Sequence, residues 1–460
     1  MPILPQAAPF RPADPLAHLA GLSDPVAPAD FPETILRFRN DRWAPAVGLD
    51  TLSEAEWIAH FGRFRPFPGS LPQPLALRYH GHQFRVYNPD LGDGRGFTFA
   101  QARDGAGRLL DFGTKGSGTT PWSRHADGRL TLKGGVREVL ATEMLEALGV
   151  ETSKSFSLIE TGEALVRGDE PSPTRSAVLV RLSHGHIRIG SFQRLAWEKD
   201  ADTMAALVAY VLTELYGEQP GEAPAVRLMA LVAERTARLA ASYMAAGFVH
   251  GVLNSDNINV AGESFDYGPW RWAPRWDGGF TAAYFDSQGL YAFGRQPQAI
   301  HWDAAQLALS LTLLAPQEAL AEALEGFAAT YEQAFVAAML ARLGVAPAGE
   351  RADHALLQAL DGALGAGGVG IDRLFFDWRG GRRPAEGYDG PIFDTLAEAA
   401  GGHAPLPGAR AHAYWSDPAP CSMLIDEVEA IWAPIAEADD WAPFDAKIAA
   451  VRRMGEAMRA

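Results

Sequence analysis

One cysteine in 460 residues, Cys421, leaves no intramolecular disulfide and no cysteine-rich zinc or iron–sulfur site to be formed. A reducing compartment fits that usage. Also missing is any apolar stretch near the ~18 residues of a membrane span, and the opening MPILPQAAPFRPADP has no basic segment followed by an apolar run. The expectation is a cytoplasmic protein with no membrane partner. Positive charge is scarce too: 40 Lys and Arg against 56 Asp and Glu give a net charge of -16. That argues against a general nucleic-acid or anionic-membrane binder. Any polyanionic ligand must then be held by a local basic cluster.

What is present is ample apolar material, 47% of residues, in a chain long enough for two or three domains or for one bilobal enzyme. Residues 1–75 are Pro-rich and loop-like apart from a short helix expected at Ser53 to Gly62, and read as a wrapping segment. From Gln83 the pattern becomes strand-like: QFRVYN, the turn-rich PDLGDGRG, then FTFAQARD and RLLDFGTK joined by DGAG. A helix is expected from Gly135 to Leu148, with Glu138 on the face of Ala141, Leu145 and Leu148. Three more strand-like runs follow, SFSLIE, EALVRG and SAVLVRLS. From Ala201 come ADTMAALVAYVLTELYG and AVRLMALVAERTARLAASYMAAG, two amphipathic helices, the second closing at Gly247. The order predicts an α+β fold of two lobes: a wrapping segment at 1–75, a β-rich N-lobe at 76–200 and a larger helical C-lobe at 201–460.

The chemistry-bearing stretch is HGVLNSDN, His250 to Asn257, with DYG beginning nine residues later at Asp266. A kinase catalytic loop reads H-R-D-x-x-x-x-N and is followed by a metal-binding D-F-G. Aligned on His250, Asn257 falls on the Asn, but the third position is Val252, which cannot accept a proton. The nearest carboxylate is Asp256. Asn257 and Asp266 keep the positions of two Mg²⁺ ligands, a pairing suited to a hard cation that also binds substrate phosphates.

Upstream, GDGRG places Gly92, Gly94 and Arg95 before a strand, where backbone amides can cover phosphates. Lys115 ends the next strand, and Glu138 on the following helix can orient its ammonium. Arg181 and Arg188, in RLSHGHIR, would form an anion clamp around a bend between strands if buried together. Asp127 and Gly128 read locally as an ordinary turn. The DFG at Asp111 to Gly113 precedes the lysine and cannot supply the metal ligand, and TKGSGTT lacks the order of a Walker loop. Two HGH triplets, at His80 to His82 and His184 to His186, have no third ligand in view and are read as structural hydrogen bonders.

Together, YHGHQF, DGRG, KGSGTTPWSRHADGR, VRE, VLVRLSHGHIRIGSFQ, HGVLNSDNINVAGESFDYGP and FGRQP resemble the selenoprotein O family of kinase-like proteins, from Tyr79 to Pro297. The resemblance implies a bilobal protein kinase-like fold that binds ATP in reverse relative to ordinary kinases and transfers AMP to hydroxyl side chains of proteins. It implies nucleotide contacts from Gly92, Gly94, Arg95, Lys115, Asp127, Gly128, Arg181, Arg188 and Asp266. Lys115 and the arginines would hold the distal phosphates, Glu138 would orient Lys115, Asp256 would be the proton acceptor, and Asn257 and Asp266 would hold Mg²⁺, with Mn²⁺ the alternative. The sequence departs from the family at AAYFDSQG, Ala282 to Gly289, where a Cys-Asn-His-Ser-Asp run is usual, and at SDPAP near the C-terminus. Cys421 lies 39 residues from the end, so the family's redox link is not supported.

The expected partners are ATP and proteins presenting Ser, Thr or Tyr, self-modification included. Other readings are UMP transfer from UTP with Mn²⁺, phosphotransfer to a small molecule, and a non-catalytic nucleotide-binding pseudokinase scaffold.

Overall fold

The computed structural model describes residues 6–168, 170–366 and 368–460, so the first five residues of the expected wrapping segment lie outside it. The β-rich half is built on an antiparallel sheet ordered Ser23–Pro25, Leu75–Leu77, Thr98–Arg103, Leu109–Lys115, Thr174–Ser183, Lys154–Leu165, Ile35–Arg39. Pro12–Ala13 and Leu130–Thr131 pair off that path with Thr98–Arg103 and Thr174–Ser183. FTFAQARD and RLLDFGTK are the adjacent hairpin strands expected of them. Their turn is fixed by the Asp104 carboxylate, which accepts from the backbone N–H of Ala106 and Arg108, each at 2.9 Å.

Two strand expectations change. SFSLIE and EALVRG form one strand, Lys154–Leu165, because Gly162, at φ 75, carries the chain through an irregularity between Glu160 and Ala164 while pairing continues. QFRVYN is not the first strand of the meander. Phe84 and Arg85, at φ 49 and 63, reverse the chain within it, giving a two-residue turn between Gly81–Gln83 and Val86–Asn88 in a sheet of their own. The place beside Thr98–Arg103 goes to Leu75–Leu77.

Strand alternation gives the sheet two unlike faces. Leu110, Phe112, Val178, Val180 and Leu182 meet an aromatic layer from the N-terminal segment, with Phe31, Trp43, Trp57, Phe61, Phe64 and Phe67 all buried. The expected short helix is Glu54–Phe61, started by a capping box in which Ser53 and Glu56 satisfy each other's backbone N–H. Trp57 stacks on Phe156 at 4.9 Å and donates its indole N–H to Ser157 at 2.9 Å. Leu109, Ala177 and Leu179 belong to the opposite layer with the helix Leu132–Ala147, whose Thr131 N-cap accepts from Gly134.

Behind that helix runs the last one, Ala442–Arg459, tied to it by Arg452, which donates to both oxygens of Glu143 at 2.8 and 2.7 Å. Arg37 and Arg175 pair with both Glu160 and Asp439, joining the sheet edge to the C-terminal helices.

The chain turns helical sooner than composition suggested. Arg188, expected at a bend between strands, is the N-cap of the helix Ile189–Glu198. Pro224–Ala246 ends at Gly247 in the left-handed conformation, as its sequence predicts. Phe248–Val249 then pairs with Arg271–Trp272, closing the loop that carries HGVLNSDN and DYG. Beneath it, Gln296 of the helix Gln296–Leu311 accepts from His250 N–H and donates to the Phe248 carbonyl. No helix of the described residues is long and apolar enough to cross a membrane.

Trp57→Ala is expected to cost about 3–5 kcal/mol, read as a lowered denaturant midpoint, since the indole is fully buried and its space cannot be refilled. The Asp439 carboxyl is held down at about 2: burial opposes this, but hydrogen bonds from Arg175 and Trp441 outweigh it. A depressed acid stabilises the fold above its unfolded value, and that share is lost as pH falls from about 4 toward 2. The side chain is 50% exposed, so Asp439→Asn should cost under about 1 kcal/mol at neutral pH, with the difference from the unmodified protein closing across that acid window.

Candidate active site

Sheet register brings the site's cations to one place. Lys115 pairs across the ladder with Leu179, and Gly113 with Arg181, so Lys115 and Arg181 point to the same side, away from the aromatic layer. Lys115 is buried, and its ammonium contacts the Glu138 carboxylate, donates to the Tyr267 carbonyl at 3.3 Å and pairs with Asp266 at 3.1 Å. Arg181 and Arg188 each reach Asp266 at 3.3 Å. Arg188 also donates to the Asp256 backbone carbonyl at 2.9 Å, and its guanidinium lies 4.3 Å from the Tyr79 ring centre and 4.8 Å from that of Phe265.

Asp266 sits at φ 62, an uncommon conformation for a residue with a side chain. Its surroundings explain why the conformation persists. Burial would raise its pKa, yet Lys115, Arg181 and Arg188 hold the carboxyl well below the usual range. Asp256 shows the opposite balance: burial pushes its carboxyl up to about 6 against the pull of Arg188. Its Oδ1 is buried with no hydrogen-bond partner, and a Cβ added at Gly81 would come within 3.0 Å of that oxygen.

These residues line a cavity of about 350 Å³. Gly92, Gly94, Arg95, Lys115, Arg181, Arg188, Asp256 and Asp266 all face it, so most of the sequence-predicted set converges. The glycine loop has a contact reason for its composition: a Cβ at Gly92 would lie 2.3 Å from Trp122, and one at Gly94 2.9 Å from the Trp122 carbonyl. Asp127 and Gly128 do not line the cavity. Asp127 pairs with Arg167 at 2.8 Å, and Gly128, at φ 69, is packed against Gly118. Asn257 is not among the lining residues; it donates its amide to the Val252 carbonyl at 2.9 Å, so the side-chain oxygen is the atom it could offer a cation.

Asp93, Tyr79, Gln83, Trp122, Ser123 and Arg124 also line the cavity, though sequence reasoning did not select them. Asp93 lay in view inside GDGRG, but only folding reveals that it accepts from Leu77 N–H at 3.0 Å and faces Arg188 at 3.4 Å. The histidine triplets are engaged in hydrogen bonds: His80 with Tyr87, His82 with Gln193, His184 with the Leu109 and Leu215 carbonyls, and His186 with Asp111.

No group of three His, Cys, Asp or Glu side chains among the described residues could form a metal cage. One anionic and one amide oxygen, from Asp266 and Asn257, instead fit a hard divalent ion completed by phosphates and water.

A family model described as "Protein adenylyltransferase SelO" matches residues 17–384. The protein nucleotidyltransferase YdiU of Gloeobacter violaceus is 46% identical, with 94% of this chain and 92% of that one covered. The YdiU of Synechocystis sp. is 49% identical over 74% and 72% of the two chains, and that of Synechococcus sp. 42% over 97% and 96%. Among solved structures, the Toxoplasma gondii specific rhoptry antigen kinase domain aligns with 58% of this chain and 84% of its own, at 14% identity and a TM-score of 0.27. The kinase-like character rests instead on the strand lysine, its helix glutamate and the aspartate beyond the catalytic loop.

Glu138→Gln keeps the shape of the pair but removes the charge facing Lys115. Catalytic turnover is expected to fall about 10²-fold, and the melting temperature to fall with it because the buried Lys115 ammonium loses a counter-charge, as measured by label transfer and thermal denaturation.

Proposed function

The chain belongs to the SelO protein adenylyltransferase family, and on that premise we propose that its cavity holds ATP with the β and γ phosphates inward and delivers AMP to Ser, Thr or Tyr hydroxyls of proteins, its own included. One observation carries this reading. Lys115, Arg181 and Arg188, all buried, converge on Asp266, while Asp256 lines the same cavity and has one carboxylate oxygen buried without a hydrogen-bond partner.

The cations are where a departing pyrophosphate needs charge, and the free carboxylate is where an incoming hydroxyl needs a base. In the step itself, the acceptor oxygen forms a bond to the α phosphorus and the bond from that phosphorus to the bridging oxygen breaks. Pyrophosphate leaves with the electron pair, and the hydroxyl proton passes to Asp256.

Arg188 serves both ends, since it touches the carboxylate of Asp266 and the backbone carbonyl of Asp256. Glu138 keeps the Lys115 ammonium directed at the cavity. Asn257 and Asp266 would hold Mg²⁺ or Mn²⁺, which supplies charge neutralisation on the phosphates. Gly92 and Gly94 allow the loop to close over the nucleotide without side chains in the way, and Arg95 stands exposed at the rim.

ATP carrying label at the α position should mark protein, and ATP labelled at the γ position should not. Protein label arising only from the γ position would show a phosphotransferase. Asp266→Ala should lower the rate by about 10²–10³, and competition from unlabelled UTP with Mn²⁺ in the same assay reads the choice of base.

A further inference from the structure

An exposed aromatic lip lies beside Asp256, and none of its aromatic residues lines the cavity. Two segments build it. One is the hairpin Gly81–Asn88, whose turn residues Phe84 and Arg85 are both left-handed. The other is the 282–289 segment, where Tyr284 is 90% and Phe285 49% exposed. Phe84 packs between them, 5.8 Å from Phe285 and 5.0 Å from Tyr291, and Val86 at the hairpin tip is 70% exposed.

The hairpin is fastened to the residues preceding the base. His82 N–H donates to Ser255 Oγ at 2.7 Å, Phe84 N–H donates to Asn254 Oδ1 at 3.1 Å, and Gly81 lies against the Asp256 side chain. Tyr291, on the far side of Phe84, donates its hydroxyl to the same Asn254 oxygen at 2.8 Å. The lip is therefore indexed to the catalytic loop from both sides. Large apolar side chains kept in water beside a reacting centre mark a contact surface.

Charge narrows the occupant. Arg85 is exposed, lies over the Trp302 ring at 5.3 Å, and has no ion-pair partner among the described residues, although acidic residues outnumber basic ones in the chain by 56 to 40. A free guanidinium beside exposed aromatics is complementary to an acidic residue flanked by apolar ones.

We propose that this lip docks the acceptor polypeptide, selecting an extended segment in which a large apolar side chain and an acidic residue flank the hydroxyl to be modified. The apolar residue packs on Tyr284 and Phe285, the acidic one pairs with Arg85, and the hydroxyl between them is presented to Asp256. This rests on the adenylyl-transfer reading and adds the acceptor class to it.

The test uses the full chain, α-labelled ATP and synthetic hydroxyl peptides whose flanking residues are apolar and acidic, apolar and basic, or all alanine. The apolar and acidic peptide is expected to be labelled with about tenfold higher kcat/KM than the alanine one. Tyr284→Ser combined with Phe285→Ser should abolish that preference through KM, and Arg85→Glu should transfer it from the acidic to the basic peptide, which a merely structural role would not do. ATP affinity, measured by calorimetry, should be unchanged in both variants. Equal labelling of all three peptides, or a preference that survives both variants, overturns the docking proposal while leaving AMP transfer in place. Label from the α position reaching neither peptide nor protein overturns the transfer reading, and the docking proposal with it.

Discussion

The site depends on one electrostatic constraint: three buried cations need a counter-charge, and Asp266 is the group they share. Lys115, Arg181 and Arg188 come from the end of one strand, the last few residues of its neighbour Thr174–Ser183 and the start of a helix, and each reaches the same carboxylate within 3.3 Å. Breaking such a cluster by removing one partner leaves uncompensated buried charge, which costs several kcal/mol. The cluster explains why a non-glycine residue holds a left-handed conformation, and why the loop closed by Phe248–Val249 and Arg271–Trp272 stays against the sheet. A triphosphate offers the same cations a second set of oxygens, so the ligand can enter a site already organised for negative charge.

Around that cluster the scaffold is fastened at both chain ends. The N-terminal segment covers one face of the sheet with rings, while the last helix lies behind Leu132–Ala147, the helix that carries Glu138. Glu138 is consequently held by packing on a helix that is itself clamped. The Arg37, Arg175, Glu160 and Asp439 network links the two fastenings at the sheet edge.

Much of this was legible in the residues. Lys115, Glu138, Asn257 and Asp266 keep the order expected of a kinase-like site, with Asp256 visible only as the carboxylate nearest the lost base position, and the helix ending at Gly247 carries its stop signal in the sequence. What stayed hidden depends on tertiary contact. QFRVYN alternates as a strand should, and nothing local shows that Phe84 and Arg85 both adopt positive φ until the anchors at Asn254 and Ser255 are in place. Asp93 was overlooked because its value lies in facing Arg188, 95 residues away. Asp127 and Gly128 read as an ordinary turn; in the structure the Asp127 carboxylate accepts from Arg129 N–H at 3.0 Å and pairs with Arg167, outside the cavity. The N-terminal segment looked loop-like because its strands are only two to five residues long, too short to show periodicity.

Those same short strands have a consequence for how the molecule behaves in a crowd. Ser23–Pro25 and Ile35–Arg39 occupy the two margins of the sheet, so its longer and more apolar strands are interior. A margin of three residues that includes a proline, and another bearing two arginines, offer a neighbouring chain little template for backbone pairing. The arm that covers the aromatic face therefore also guards against sheet-to-sheet aggregation, and proteolytic loss of it would leave the protein prone to precipitate.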